Sequence, residues 1–174
     1  MEQVLLDRLI DTDYGQFDLL WGEDYGFDGD WDRFFAGQSN GLVGAASGQG
    51  LYLNLARRSG GSRVRIVLLD EAPDPAGGEW EDVVEVSITV PVAASLRWST
   101  WAGEESGALG LGSGTYRVRT SARGRDAGRD GEFADEAVDL YLLEIWPAPA
   151  QPDSIVRSIS ADADYWHREV GGRR

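Results

Sequence analysis

Eight carboxylates lie between Asp11 and Asp32 with no basic residue among them: Asp11, Asp13, Asp18, Glu23, Asp24, Asp28, Asp30 and Asp32. Three of them alternate in Asp28-Gly29-Asp30-Trp31-Asp32, the spacing with which an EF-hand loop begins, so cation binding is one chemistry they could serve. The loop then leaves that pattern, because Arg33 stands where the loop needs glycine and Ser39 where it needs a bidentate glutamate. A calcium- or ligand-binding loop on a β-sandwich is therefore the alternative reading, and no metal ligand is assigned. The leading reading comes from the rings interleaved with these acids: Trp21, Tyr25, Phe27, Trp31, Phe34 and Phe35. Rigid apolar anchors with a polar surround are what protein interfaces favour at their hot spots. Trp21, Trp31 and Phe34 are the expected anchors, with Asp24, Asp28, Asp30 and Asp32 as charge contacts to a basic partner.

Other chemistries have little to draw on. There is no cysteine, which removes thiol nucleophiles, zinc–thiolate sites and disulfides together. The single histidine, His167, has no recognisable serine-nucleophile motif to serve. The runs Gly41-Leu42-Val43-Gly44 and Gly107 to Gly114 match neither a P-loop nor a dinucleotide fingerprint and read as turns. The expectation is a non-catalytic protein with no cofactor.

Charge limits the partners. Thirty acidic against sixteen basic residues give a formal charge of −14, which repels nucleic acid and anionic membranes. A second acidic run reaches from Asp70 to Glu85, while arginine gathers at Arg57, Arg58, Arg63 and Arg65 and at Arg117, Arg119, Arg123 and Arg125. Acidic and basic strand faces that pair across neighbouring strands are the simplest account of that separation. No apolar stretch is long enough for a membrane helix and the N-terminus lacks the features of a signal peptide, so a cytoplasmic location is expected.

The elements that must position these residues are short strands. Apolar alternation is clearest over Arg63 to Leu69, Val83 to Val90, Ser95 to Trp101, Thr115 to Ala122 and Val138 to Trp146. Earlier strands are expected at Gly15 to Trp21, Leu42 to Ala46 and Leu51 to Ala56. Glycine- and proline-rich turns separate them. The pattern predicts an all-β fold, an antiparallel β-sandwich of about eight or nine strands. Residues 1–150 form the sandwich domain in this reading. Residues 151–174 form a proline-rich linker and a short C-terminal helix, with Ser160 as N-cap and an end near Val170. As an appendage, 153–174 should be removable with only a few degrees lost in melting temperature.

Five short stretches stand out in order: Tyr14-Gly15-Gln16-Phe17-Asp18-Leu19, Asn40-Gly41-Leu42-Val43-Gly44 with Leu51-Tyr52-Leu53, Trp80-Glu81-Asp82-Val83-Val84-Glu85-Val86, Gly112-Ser113-Gly114-Thr115-Tyr116-Arg117-Val118, and Tyr141-Leu142-Leu143-Glu144-Ile145-Trp146-Pro147. Taken together they resemble the competence nuclease-inhibitor family, Nin or ComJ, and its relatives in GC-rich bacteria. The resemblance spans residues 14 to 147. It implies an acidic inhibitor or immunity-like protein that binds a DNA-degrading nuclease and has no catalysis of its own. The acidic, aromatic stretch from Glu23 to Phe35 and the tail after Pro152 depart from it. A third reading, a structural subunit joined to others through sheet edges, needs neither cation nor nuclease.

Overall fold

Alternation becomes a two-faced strand in Tyr116-Arg117-Val118-Arg119-Thr120: Tyr116 and Val118 enter the core, while Arg117 and Arg119 face outward and clasp Glu85 at 3.3 and 3.0 Å. The computed structural model describes residues 1–22, 26–132 and 134–172. Among these, the chain forms β1 (Glu2–Thr12), β2 (Gln16–Leu20), α1 (Trp31–Phe35), β3 (Val43–Gly44), β4 (Gly50–Asn54), β5 (Gly60–Leu69), β6 (Asp82–Val90), β7 (Arg97–Thr100), β8 (Ser106–Ala108), β9 (Gly114–Arg123), α2 (Arg125–Asp130), β10 (Leu140–Pro147), β11 (Ser154–Arg157) and α3 (Ala161–Glu169). No described helix is long and apolar enough to cross a membrane.

Two sheets result. The first has the order β1-β5-β10-β9-β6-β11 and the second β3-β4-β2-β7-β8. Phe17, Leu19, Leu51 and Leu53 of the second pack against Val64, Ile66, Val118, Leu143 and Ile145 of the first. The sandwich expected from the sequence is therefore what forms. Its pairings are antiparallel except for β5 and β10, which run parallel in the middle of the first sheet.

The eleven strands among the described residues exceed the expected number because β1, β8 and β11 gave no clean alternation. In β1 the register slips between Val4 and Leu6, which breaks the two-residue period. The separated charges pair across strands as anticipated: Arg63 and Arg65 of β5 both hold Asp7 of β1, and Arg65 also reaches Glu2.

The centre of the second sheet is buried on both faces. All five residues of β2 and all five of β4 are buried, so neither strand alternates between wet and dry. α1 and α3 supply the outer cover, and two glycines make room for them. A Cβ on Gly44 would stand 2.9 Å from the Phe34 carbonyl oxygen, and one on Gly41 would collide with the Trp166 carbonyl. Between the helices and the sheet lies a second apolar cluster of Phe34, Phe35, Tyr52 and Val170. The motif Asn40-Gly41-Leu42-Val43-Gly44 is thus the seat of two helices.

The segment expected as a linker and tail is tied in at several points. β11 extends the first sheet along β6. The Asp153 carboxylate accepts from the backbone amides of Ser39 and Asn40 and from the Asn40 side chain at 2.7 to 3.0 Å. Ser160 caps α3 as the sequence predicts, its side chain accepting from the Ala163 amide, and the helix ends at Glu169.

Candidate functional site

A hollow of about 530 Å³ opens beside α1 on the outer side of the second sheet. One wall begins at the turn between β1 and β2. Tyr14 there has a φ of 57°, and its exposed ring lies 5.2 Å from that of Trp101. Trp101 follows β7, and its backbone amide donates to Thr12 Oγ1 at 3.2 Å; the next residue, Ala102, again has a positive φ, 55°. Left-handed backbone is strained for residues other than glycine. Two of the three such residues described in the chain therefore flank this one mouth.

The opposite wall belongs to the acidic, aromatic segment. Phe27 stacks on Tyr52 with centroids 4.0 Å apart and planes 4° from parallel, and Trp31 lies against Phe27 at 4.6 Å. Trp31 is backed by Trp166 of α3 at 5.4 Å. Burial pushes the Tyr52 hydroxyl far above the usual phenol range, so it remains a donor, to Asn54 Oδ1 at 3.3 Å. Gln16 and Arg58 complete the lining. Gln16 donates to the buried Asp18 carboxylate at 2.7 Å, which also accepts from the Phe27 amide at 3.1 Å and so fixes where the segment crosses the sheet.

The residues expected to form a docking surface divide into three groups. Asp28, Asp30 and Asp32 are exposed, and Trp31 is half-buried at the wall of the hollow. Trp21 and Phe34 serve the interior instead. Trp21 is 6% exposed, packs in the main core and donates to the Gly48 carbonyl; Phe34 is 1% exposed beneath α1. An anchor must be reachable, so neither can hold a partner while the fold is intact. Asp24 lies outside the described residues.

The alternating aspartates have local partners. Asp28 accepts from the Asp30 amide at 3.0 Å and pairs with Arg33 at 3.3 Å, while Asp30 caps α1 by accepting from the Arg33 amide at 3.1 Å. Among the described residues no group of three or more histidine, aspartate or glutamate side chains is arranged to hold a metal ion. Tyr14, Arg58 and Trp101 went unrecognised in the sequence. They are far apart along the chain, and only the pairing of β2 with β4 and β7 brings them together.

His167 belongs to the support of this site. Its Nδ1 accepts from the Gly41 amide at 3.0 Å, and its Nε2 is buried without a partner. Burial, and then the nearby Arg125 charge, hold its pKa below the ordinary imidazole value. The neutral form is thus the one the fold favours. Its contribution to stability is fully present above the unfolded pKa of about 6.5 and declines as the pH falls toward the lowered folded value. Urea midpoints measured from pH 7.5 to 5 should fall for the wild type and fall less for His167→Gln. Parallel declines would mean that the imidazole does not titrate with unfolding.

Among solved structures, ComJ from Bacillus subtilis, an inhibitor of the DNA-degrading activity of NucA, aligns over 85% of this chain and 99% of its own, with a TM-score of 0.57 and 15% sequence identity. The chain shares the ComJ fold. A protein described as crocagin biosynthetic gene J is similar to the same degree, with a TM-score of 0.55, 16% identity and coverage of 86% of this chain and 99% of its own. Identities this low establish architecture and not activity. No protein-family model and no curated protein matches the sequence. The resemblance to the ComJ family noted from short motifs therefore holds at the level of fold.

Proposed function

We propose that the protein is a non-catalytic inhibitor that acts in the cytoplasm by docking its acidic, aromatic face on the basic surface of a nuclease. The observation that carries this reading is the exposed run Asp28, Asp30 and Asp32 set around Trp31 at an aromatic-walled hollow. The fold shared with ComJ supports the choice of a nuclease as partner. The division of labour follows from physical chemistry. Carboxylates steer a basic partner from a distance and can occupy subsites built for phosphate, whereas solvated ion pairs add little affinity. The apolar energy comes from rings that the partner covers, Trp31 and Tyr14 first.

The triple variant Asp28→Asn/Asp30→Asn/Asp32→Asn removes three charges and keeps the helix cap, because asparagine caps about as well as aspartate. Against the nuclease of its own source cells, the association rate at low salt should fall about tenfold or more, with a flatter salt dependence and an unchanged melting temperature. An association rate equal to wild type at every salt concentration would remove this face from the mechanism.

A further inference from the structure

Charge balance inside the hollow differs from charge balance over the molecule. Asp28, the acid in its lining, is already paired with Arg33. Arg58 has no carboxylate partner among the described residues: its guanidinium donates to the Tyr14 carbonyl at 3.0 Å, to Asn54 Oδ1 at 2.8 Å and to the Leu55 carbonyl, bonds the Tyr52 hydroxyl, and lies over the Trp166 ring at 5.2 Å. In a chain with nearly twice as many acids as bases, an arginine lining this hollow with no carboxylate partner among the described residues is a departure that needs a reason. The strained backbone at Tyr14 and Ala102 is a second, independent departure at the same place. Strain of this kind persists where a conformation is needed, and here it brings two rings together at the mouth.

We infer that this hollow binds a small planar ligand carrying an anionic group, with its ring among Tyr14, Trp101, Phe27 and Trp31 and its charge on Arg58. Flat aromatic walls favour a planar guest by stacking and edge contacts. A guanidinium that is partly shielded from water, with donors left over, selects a carboxylate or phosphate oxygen. The net negative charge of the molecule does not forbid this, because exposed charges beyond about 8 Å are largely screened at physiological salt. The inference does not rest on the inhibitor reading. The two sites share Trp31 and Tyr14, so a bound ligand would occupy part of the docking face.

Three probes of one shape test it: naphthalene-2-carboxylate, 2-naphthalenemethanol and 2-naphthylmethylammonium, titrated into the intact protein by calorimetry and tryptophan fluorescence. The acid should bind about tenfold more tightly than the alcohol, as expected for one charged hydrogen-bonding partner, and the ammonium most weakly. Arg58→Gln should erase the preference for the acid. Tyr14→Gly should weaken binding while the melting temperature holds or rises, since it relieves the positive φ as it removes a ring. A ring kept only for stability would instead lower the melting temperature when removed. The inference is overturned by an absence of binding at millimolar probe, by an ammonium that binds as well as the acid, or by a folded Arg58→Gln that keeps the preference. Should Arg58→Gln not fold, unchanged affinity in both Tyr14→Gly and Trp101→Ala overturns it equally.

Discussion

Asp162→Ala should lower stability by about 3–5 kcal/mol, the cost of leaving a buried charge without its counter-ion. Asp162 of α3 is 3% exposed and binds the fully buried guanidinium of Arg125 in α2 through two nitrogens at 2.8 and 2.9 Å. The third nitrogen donates to the Asn54 carbonyl of β4 at 2.9 Å, and the group lies over the Tyr141 ring at 5.7 Å. One ion pair therefore ties both helices to both sheets. Against a total of about 5–15 kcal/mol for a typical domain, its loss leaves a small margin. Double replacement, Arg125→Met with Asp162→Leu, should lose much less than either single change, because no lone charge remains inside. Denaturant midpoints measure both effects. A loss below about 1 kcal/mol for Asp162→Ala would mean that Arg125 finds water or another acceptor, and that the pair is not the link it is taken for.

Removal of residues 153–174 should abolish the cooperative unfolding transition. The deletion takes away Asp162 and, with it, the donors that hold the buried Asp82 carboxylate among the described residues: the Ile159 amide and the amide and hydroxyl of Ser160. It also removes Asp153 from the turn at Ser39 and Asn40, and the cover over Phe34, Phe35 and Tyr52. Two buried charges are left unpaired and an aromatic face is exposed, which favours a molten or insoluble product. The proline-rich sequence alone suggested a loss of only a few degrees. Calorimetry of the truncated chain decides between the two, and a sharp transition lowered by a few degrees would show that the sandwich closes without its last strand and helix.

Much of the fold could be read in advance because polar and apolar residues alternate along its central strands. β5, β6, β9 and β10 show this in their sequences, although in β9 the polar face is covered as well, and glycine-rich turns divide them. Ser160 likewise announced α3. In the second sheet β2 and β4 were expected as strands, but both are dry on both sides, so the polar–apolar alternation of Gln16-Phe17-Asp18-Leu19 does not mark a wet face there. That same double burial explains why the acidic, aromatic segment was only partly legible. Asp28, Asp30 and Asp32 are exposed, as charged residues usually are, but nothing local to Trp21 or Phe34 tells an interior ring from an exposed one. The hollow was illegible for another reason. Its walls join Tyr14, Phe27, Tyr52, Arg58 and Trp101, and spacing along the chain carries no trace of that convergence.

The central claim is inhibition of a nuclease by direct binding, and one titration addresses it. DNA degradation by the nuclease activity of the source cells would be followed as the purified protein is added, with DNA in excess. The account predicts a loss of activity that is complete near one equivalent per nuclease, that weakens as salt is raised, and that needs a higher concentration of the Asp28→Asn/Asp30→Asn/Asp32→Asn variant. Undiminished degradation at a large molar excess of folded protein would contradict it.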